Sequence, residues 1–430
     1  MSHSSLSRRH FLGASASAAA FTILPRHLLG GPLAPSNRIN HAVIGCGGMG
    51  NGHIGYALRD PIANLVAVCD VDSQRLASAV ARGGKDCKGY NDFREMLARG
   101  DIDVCHVVTP PHWHALQNIA ALDAGCDVWG EKPMTRTVAE GQYTIDAVRR
   151  NSRVFRLNTW FRFRSTFYGL GATVRPLKKL IMSGELGWPL TVRVSPHTGF
   201  GWKTRGWSGR INVPPEPVPK NLDYDLWLGP APYKPYFRHR THASFRGYWD
   251  YDGGGLADMG QHYLDPVQYL LDKDDTSPVE VEAYAPWPPH PDAVGLWGRI
   301  WMKYADGCQL ILESGEWGEQ ETKDKPYIEG PKGKVYRGFR TDPPELAEKV
   351  KFLPEPDPVI TDFNESIRTR QPFALNEVNG NRSNLLVHLS NCAIRTGRKL
   401  RFDPVAQRFI DDDEANRLAE QPMRAPWRMT

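Results

Sequence analysis

Six residues, Gly45-Cys46-Gly47-Gly48-Met49-Gly50, constrain the fold of this chain more than any other feature. They follow an apolar run at residues 39–44 that reads as a short strand, and they open a helix expected over 51–59. The spacing is G-x-G-x-x-G. Gly45 permits a tight turn, Gly47 lets the backbone approach a pyrophosphate, and Gly50 allows helix and strand to pack closely. Gly48 and Met49 complete the turn, with the positive end of the helix facing phosphate charge. A second apolar strand, residues 65–69, ends in Asp70, twenty residues past Gly50. An acid there binds the ribose hydroxyls of adenosine and repels a 2′-phosphate, which favours NAD; Ser73 and Arg75 keep NADP open.

Strands and helices go on alternating. Helices are expected over 72–82 and 114–124, and strands over 104–108, 126–129 and 154–157. Thr137-Val138-Ala139-Glu140 is a capping box that opens a helix running to 150. This alternation predicts an α/β unit with a doubly wound parallel sheet, the Rossmann arrangement. It places Glu131-Lys132-Pro133 in the loop at the C-terminal end of a strand, where ligands bind in open α/β sheets.

From about residue 160 the pattern changes. A helix is expected over 167–182, followed by strand-like pieces at 190–195, 279–285, 298–304 and 308–314. Runs of strands with few helices predict an α+β domain with a large, mostly antiparallel open sheet. Helices at 361–370 and 379–397 return toward the first domain, while 213–219 and 318–338 read as loops. The expected division is a leader at 1–34, a dinucleotide domain at 35–158, a second domain at 159–402, and a tail at 403–430 without a core pattern.

The 430 residues suffice for two domains with cores of their own. Net charge is +5, from 53 basic and 48 acidic side chains without a long run of one sign, which does not suggest nucleic-acid binding. The seven cysteines contain no C-x-x-C pair and read as buried, reduced thiols. Near the N-terminus, Ser7-Arg8-Arg9-His10-Phe11-Leu12 and the alanine-rich stretch after it look like a twin-arginine export signal. That implies the Tat machinery as a partner and a periplasmic or otherwise extracytoplasmic location, with an uncleaved membrane anchor as the alternative. Tat substrates fold before export, often around a cofactor, which reconciles unpaired cysteines with that destination.

Four motifs in order resemble the glucose-fructose oxidoreductase / inositol dehydrogenase (Gfo/Idh/MocA) superfamily. They are Gly45–Gly50, Thr109-Pro110-Pro111-His112-Trp113-His114, Glu131-Lys132-Pro133, and the run from Gly253 through Asp258 to His262. The resemblance implies that Lys132, Asp258 and His262 line the reaction centre. It also implies that Thr109, Pro110, His112 and His114, with Glu131 and Lys132, contact the dinucleotide. It further implies a homo-oligomer joined through the sheet of the second domain. The residue types suit that chemistry. Asp258 and His262 stand four apart on one helix face, and Asp265, three further on, is placed to orient the imidazole. Oxidising a sugar hydroxyl needs a base for the O–H proton, and His262 is the first candidate. Lys132 can stabilise developing negative charge or relay the proton, and the two roles can be exchanged. Asp258, His262 and Asp265 could also ligate a divalent metal, but no other ligand set points to the same place, and no metal is assigned.

Trp202, Trp207, Trp227 and Trp249 fall in a loop-rich region before the Asp258 helix. Their faces suit sugar C–H surfaces, with Trp202 and Arg162 (and Arg164) as candidate substrate contacts; filling a core or an oligomer interface is the competing reading. These features predict an NAD(P)-dependent oxidoreductase acting on a sugar, polyol or glycoside by hydride transfer. Export predicts that the dinucleotide is held tightly and regenerated in the site, by a second substrate or by a redox-neutral glycosidase cycle of oxidation, elimination, hydration and reduction. A non-catalytic sugar-binding protein is the remaining alternative.

Overall fold

The computed structural model describes residues 38–159, 162, 170 and 173–429. The twin-arginine segment, Arg164 and most of the first part of the helix expected from Phe167 lie outside the described residues.

The first unit is built on strands β1 (Ile39–Ile44), β2 (Ala63–Cys69), β3 (Lys88–Tyr90), β4 (Val104–Val107), β5 (Asp127–Glu131) and β6 (Phe155–Asn158). They pair in parallel in the order β3-β2-β1-β4-β5-β6. Apolar runs such as Leu65 to Cys69 are buried by helices on both faces, as a parallel sheet requires. Five helices accompany it: α1 (Gly48–Arg59), α2 (Ser73–Gly83), α3 (Phe93–Leu97), α4 (His114–Asp123) and α5 (Val138–Asn151). Asp72 caps α2 by accepting bonds from the Gln74 and Arg75 N–H groups, and the Thr137–Glu140 capping box starts α5 as expected. Strand order reverses between β1 and β4, which opens a crevice at their C-terminal ends.

The second unit begins with α6 (Val174–Met182), β7 (Thr191–Val194), α7 (Tyr224–Leu228) and α8 (Gly254–Leu270). Then come β8 (Glu280–Tyr284), β9 (Arg299–Lys303), β10 (Gln309–Glu313), β11 (Ile328–Glu329), β12 (Lys334–Tyr336) and β13 (Arg340–Asp342). The chain continues through α9 (Glu345–Lys349), α10 (Phe363–Thr369), α11 (Glu377–Thr396), β14 (Leu400–Asp403), β15 (Arg408–Phe409) and α12 (Asp413–Ala419). Nine strands form one sheet in the order β13-β12-β11-β7-β10-β9-β8-β14-β15. Only the β7–β10 pair is parallel among the described ladders. The inward residues of this sheet, among them Val192, Ile300, Leu310 and Leu312, share one core with α6, α8 and α11.

Helix α8 is buried nearly all round, so it works as a central beam rather than a surface helix. Alongside it, α11 packs back onto α5 and β6 of the first unit, as its pattern predicts. All seven cysteines are free and buried.

Three expectations change. Residues 318–338 carry β11 and β12 rather than only loop. The expected tail from residue 403 is folded across its described residues, with Phe409, Ala415 and Ala419 buried in the core; the short β15 and α12 place few apolar residues in any one sequence window. Strand β5 runs on through Glu131, so the acid of the E-K-P motif belongs to the sheet and Lys132 is the first residue beyond it.

Candidate active site

The glycine turn lies at the mouth of the crevice. Gly45 has φ +91°, and a Cβ there would meet the Val108 carbonyl oxygen at 2.6 Å. A Cβ at Gly50 would clash with the carbonyl of Gly45, the close helix–strand approach expected of this position. No side chain caps α1, so its first N–H groups face the crevice beside the open edge of Gly48. Asp70 ends β2 and steadies the turn: its Oδ2 accepts from Cys46 N at 2.7 Å and its Oδ1 from Asp72 N at 2.8 Å. Burial pushes its carboxyl above the ordinary range, and these two bonds oppose the shift. An uncapped helix N-terminus, a side-chain-free turn and an acid at the β2 end together fit a dinucleotide.

These residues line one cavity of about 460 Å³ that runs from the turn to α8. Gly45, Gly47, Gly48, Met49 and Asp70 border one end, Thr109 and Pro110 follow at the end of β4, and Glu131, Lys132 and Asp258 border the other end. Arg75 also faces the cavity.

At the far end, Lys132 Nζ donates to the Asp258 carbonyl oxygen at 2.7 Å and to its Oδ1 at 2.9 Å. Arg246 Nε donates to the same Oδ1 at 2.8 Å, with its guanidinium over the Trp207 ring. Burial alone would raise the pKa of Asp258, but the charges and bonds of Lys132 and Arg246 hold it far below the ordinary carboxylate range. His262, one helical turn on, is buried and does not border the cavity. Burial first, then the Lys132 charge, pulls its pKa down to about 3, so the ring is neutral at physiological pH.

Glu131 is held from behind. His53 Nε2 donates to its Oε1 at 3.0 Å and Asn158 Nδ2 at 2.5 Å, while Oε2 accepts the Lys132 N–H at 3.2 Å. Hydrogen bonds continue from His53 to His106 (2.9 Å) and from His106 to His41 (2.8 Å) inside the sheet. With Glu131 ionised, one set of neutral tautomers satisfies these bonds in a single direction: His53 protonated on Nε2, His106 and His41 on Nδ1. Nothing in the sequence marks three histidines so far apart as a chain.

Several expected contacts lie elsewhere. His114 faces the carbonyls of Pro133 (2.6 Å) and Thr109 (2.7 Å), so it braces two turns bordering the cavity without bordering it. His112 is buried and donates to the Trp227 carbonyl at 3.0 Å. Asp265 does not orient His262: its carboxylate pairs with Arg162 (2.7 and 2.9 Å), which also binds Asp274. Arg162 and Asp265 therefore form a buried structural ion pair away from the cavity. Trp202 is fully buried, packed edge-on against Tyr263 and Trp297, which is the core reading of that residue. Trp249 is also in the core, whereas Trp207 and Trp227 border the cavity. Sequence reasoning missed Arg246, Asp252 and His242: the first and last come to the cavity from a short 3-10 helix (His242–Gly247) and Asp252 from the loop before α8, where no periodicity marks them.

Two family models match this architecture: "Oxidoreductase family, NAD-binding Rossmann fold" over residues 39–159, and "Oxidoreductase family, C-terminal alpha/beta domain" over residues 170–429. The chain belongs to the Gfo/Idh/MocA family. NAD is the cofactor its first domain is built to bind. Among curated members, inositol 2-dehydrogenase of Salmonella typhimurium (strain LT2) is 30% identical over 153 residues, 35% of this chain and 43% of that protein. Levoglucosan dehydrogenase of Pseudarthrobacter phenanthrenivorans is 27% identical over 243 residues, 54% of this chain and 51% of that protein. Each match thus spans about half or less of the relative. Among solved structures of this fold, the WlbA dehydrogenase from Bordetella pertussis, in complex with NADH and UDP-GlcNAcA, superposes with a TM-score of 0.58 at 20% identity. It covers 85% of this chain and 99% of that one. Levoglucosan dehydrogenase in complex with NADH and levoglucosan gives a TM-score of 0.54 at 18% identity, with the same coverage.

Proposed function

We propose that this family member oxidises a secondary hydroxyl of a small sugar, polyol or glycoside. The observation that carries the reading is Lys132, fixed by Asp258 at the end of the same cavity that begins at the glycine turn. NAD, when bound, supplies the hydride acceptor. The glycine turn and the α1 N-terminus bind its pyrophosphate, and Asp70 takes the adenosine ribose. Lys132 bonds the reacting hydroxyl with its remaining N–H, stabilises the negative charge that develops there and relays the proton. Asp258 orients Lys132, and neutral His262 packs behind both, so the larger share of proton handling falls to Lys132. Trp207, beside Arg246, offers a face to sugar C–H bonds. Related proteins named for inositol, levoglucosan and apiose oxidation support this substrate class.

A second observation favours a retained cofactor. The segment around α7 crosses the adenosine side of the crevice: Ser73 N donates to the Asn221 carbonyl (2.8 Å) and Asp223 N to the Val71 carbonyl (2.9 Å). With the twin-arginine reading of residues 7–12, this supports export of a loaded protein and regeneration in the site, by a second sugar or by a redox-neutral glycosidase cycle. The outward face of the nine-stranded sheet, with Tyr284 exposed, is where a second copy would dock.

The test is to purify the full chain without added dinucleotide, identify released small molecules by mass spectrometry, and screen sugars, polyols and glycosides for ketosugar formation or cleavage. Stoichiometric NAD with turnover that Lys132→Ala lowers by about a hundredfold or more is the expected result. A chain that binds sugar with NAD present but never oxidises or cleaves it is a binding protein instead.

A further inference from the structure

A second, smaller cavity lies behind the first. Its volume is about 30 Å³, room for a single water, and its polar lining comes from Arg136, Thr137, His388, Asn391, Arg395 and Gln421. Asp252 is the residue the two cavities share. It stands two residues before α8, is 7% exposed, and its Oδ1 accepts the Gly253 N–H at 2.9 Å. Among the described residues no cation pairs with its carboxylate, although Arg246 and Lys132 stand on the same cavity wall. Both of those cations bond Asp258 instead.

We propose that Asp252 is the proton-exchange residue of this site, passing a proton between the reaction cavity and a water in the cavity behind it. This rests on the oxidoreductase reading above. Oxidising a secondary alcohol breaks one C–H and one O–H bond. The C–H electron pair leaves with its hydrogen as hydride to NAD, and one proton is left over. Lys132 takes the hydroxyl proton and releases one of its own to water in the reaction cavity, and that water passes a proton on to the Asp252 carboxylate, which lies beyond direct reach of Lys132; there a new O–H bond forms. Asp252 then loses that proton to the water behind and is ready for the next turnover.

The two carboxyls of the site are set up for different tasks. Asp258, held by two cations, stays ionised and cannot carry a proton. Asp252 is pushed up to about 7 by burial, and the Asp258 charge adds to the shift while Arg246 opposes it. Such a carboxyl gains and loses a proton near neutral pH, which suits exchange. The groups facing it from other elements are Lys132 after β5, Arg136 before α5, Arg246, Asp258 of α8, and His388 and Arg395 of α11. Burial pulls His388 down to about 3, so it adds no charge there at neutral pH.

The test needs no substrate at its first step. A pH-difference infrared spectrum of the full chain loaded with NAD is compared with that of Asp252→Asn. The wild type is expected to show a protonated-carboxyl carbonyl band that titrates near pH 7 and is missing from the variant. Absence of such a band overturns the assignment, whether or not any sugar is turned over. With a substrate from the panel, Asp252→Asn is expected to lower kcat at least tenfold and remove the limb of the pH profile near 7, and Asp252→Glu to restore it. A variant that folds, binds NAD and keeps the wild-type pH profile also overturns it. If the band titrates but no substrate is turned over, Asp252 is a titrating buried carboxyl and its exchange role falls with the oxidoreductase reading, whereas turnover without the band overturns the exchange role alone.

Discussion

Lys132 Nζ lies 2.9 Å from Asp258 Oδ1 and 2.7 Å from the Asp258 carbonyl oxygen, joining the end of β5 to α8 across 126 residues of sequence. Each partner fixes the other. Lys132→Ala is expected to reduce turnover by about 10²–10⁴-fold, the usual reach of a positioned proton-transfer group, and to leave NAD affinity little changed. Asp258→Ala leaves Lys132 and Arg246 facing each other without their anion. A stability loss of about 3–5 kcal/mol is expected on top of lost activity. Steady-state kinetics and urea unfolding separate the two outcomes.

At the other end of the cavity, Gly45→Ala places a Cβ 2.6 Å from the Val108 carbonyl oxygen at a backbone angle that only glycine adopts readily. It is expected to cost about 1–3 kcal/mol of stability and to weaken NAD binding. Asp70→Ala removes the acceptor that steadies Cys46 N and the expected partner of the ribose hydroxyls. NAD affinity is expected to fall about tenfold, the loss of roughly one charged hydrogen bond, and discrimination against NADP to narrow. Titrating both dinucleotides against the wild type and the variant checks it.

Arg162 separates a structural role from a substrate role. Its guanidinium is buried against Asp265 and Asp274, so Arg162→Ala leaves Asp265 charged and unpaired in the core. A stability loss of about 3–5 kcal/mol is expected, with KM unchanged in the protein that still folds. Trp202→Ala is expected to lose a similar amount through the cavity it opens. A selective rise in KM at full stability, in either variant, would put these residues back at the substrate.

What could be read in the sequence follows from how local each signal is. Five of the six strands of the parallel sheet, the glycine turn, Asp70 and the Thr137 cap are set by spacings of a few residues, so periodicity and motif chemistry reach them; β3, three residues long, is too short to show a pattern. Lys132 and Asp258 were legible only through two motifs in a family-like order, since their contact spans 126 residues. Asp265 went astray because helix spacing says which residues share a face but not which neighbour that face meets; Arg162 met it first. Trp202 could not be told from Trp207 by type, as a large aromatic suits a core and a sugar equally well. Arg246 lies in a 3-10 helix of six residues and Asp252 in a loop, both too short for a period to be read.

Acid stability should carry the signature of buried neutral histidines. His112, His262 and His388 are each drawn down to about 3, chiefly by burial, against about 6.5 in an unfolded chain. Between those values the unfolded state binds protons that the native state refuses, so stability rises with pH and falls on acidification. Each ring contributes at most about 1.4 kcal/mol per pH unit across that window. Asp258 acts in the same direction lower down: its stabilisation is present above the ordinary carboxylate pKa and is lost as pH falls below it. Asp252, raised to about 7, opposes the histidines with the weight of one ring, because the native state binds its proton where the unfolded state does not. The three rings outweigh it, and urea midpoints at pH 7, 6 and 5 are expected to fall progressively. His388→Gln, if it folds, is expected to flatten the slope between pH 6 and 5.

The segment crossing the adenosine side of the crevice makes a separate prediction about exchange. Asn221 Nδ2 donates to Asp72 Oδ1 at 3.0 Å, and Asn91 Nδ2 donates to Asp223 Oδ2 at 3.2 Å. Both bonds tie the second unit to residues beside Asp70, and neither residue pair touches the Lys132 end of the cavity. Breaking them should loosen the cover without altering the chemistry. If the segment retains NAD, Asn221→Ala combined with Asp223→Ala removes three bonds of about 1 kcal/mol each, the two above and the Asp223 cap on Leu226 N (3.1 Å) that starts α7, and dissociation quickens by about tenfold or more. The rate is read by chasing bound NAD with a labelled copy. Equal rates in the variant and the wild type would mean that retention, if found, resides in the glycine turn and Asp70 alone. A faster rate with unchanged kcat on saturating NAD assigns it to the crossing segment.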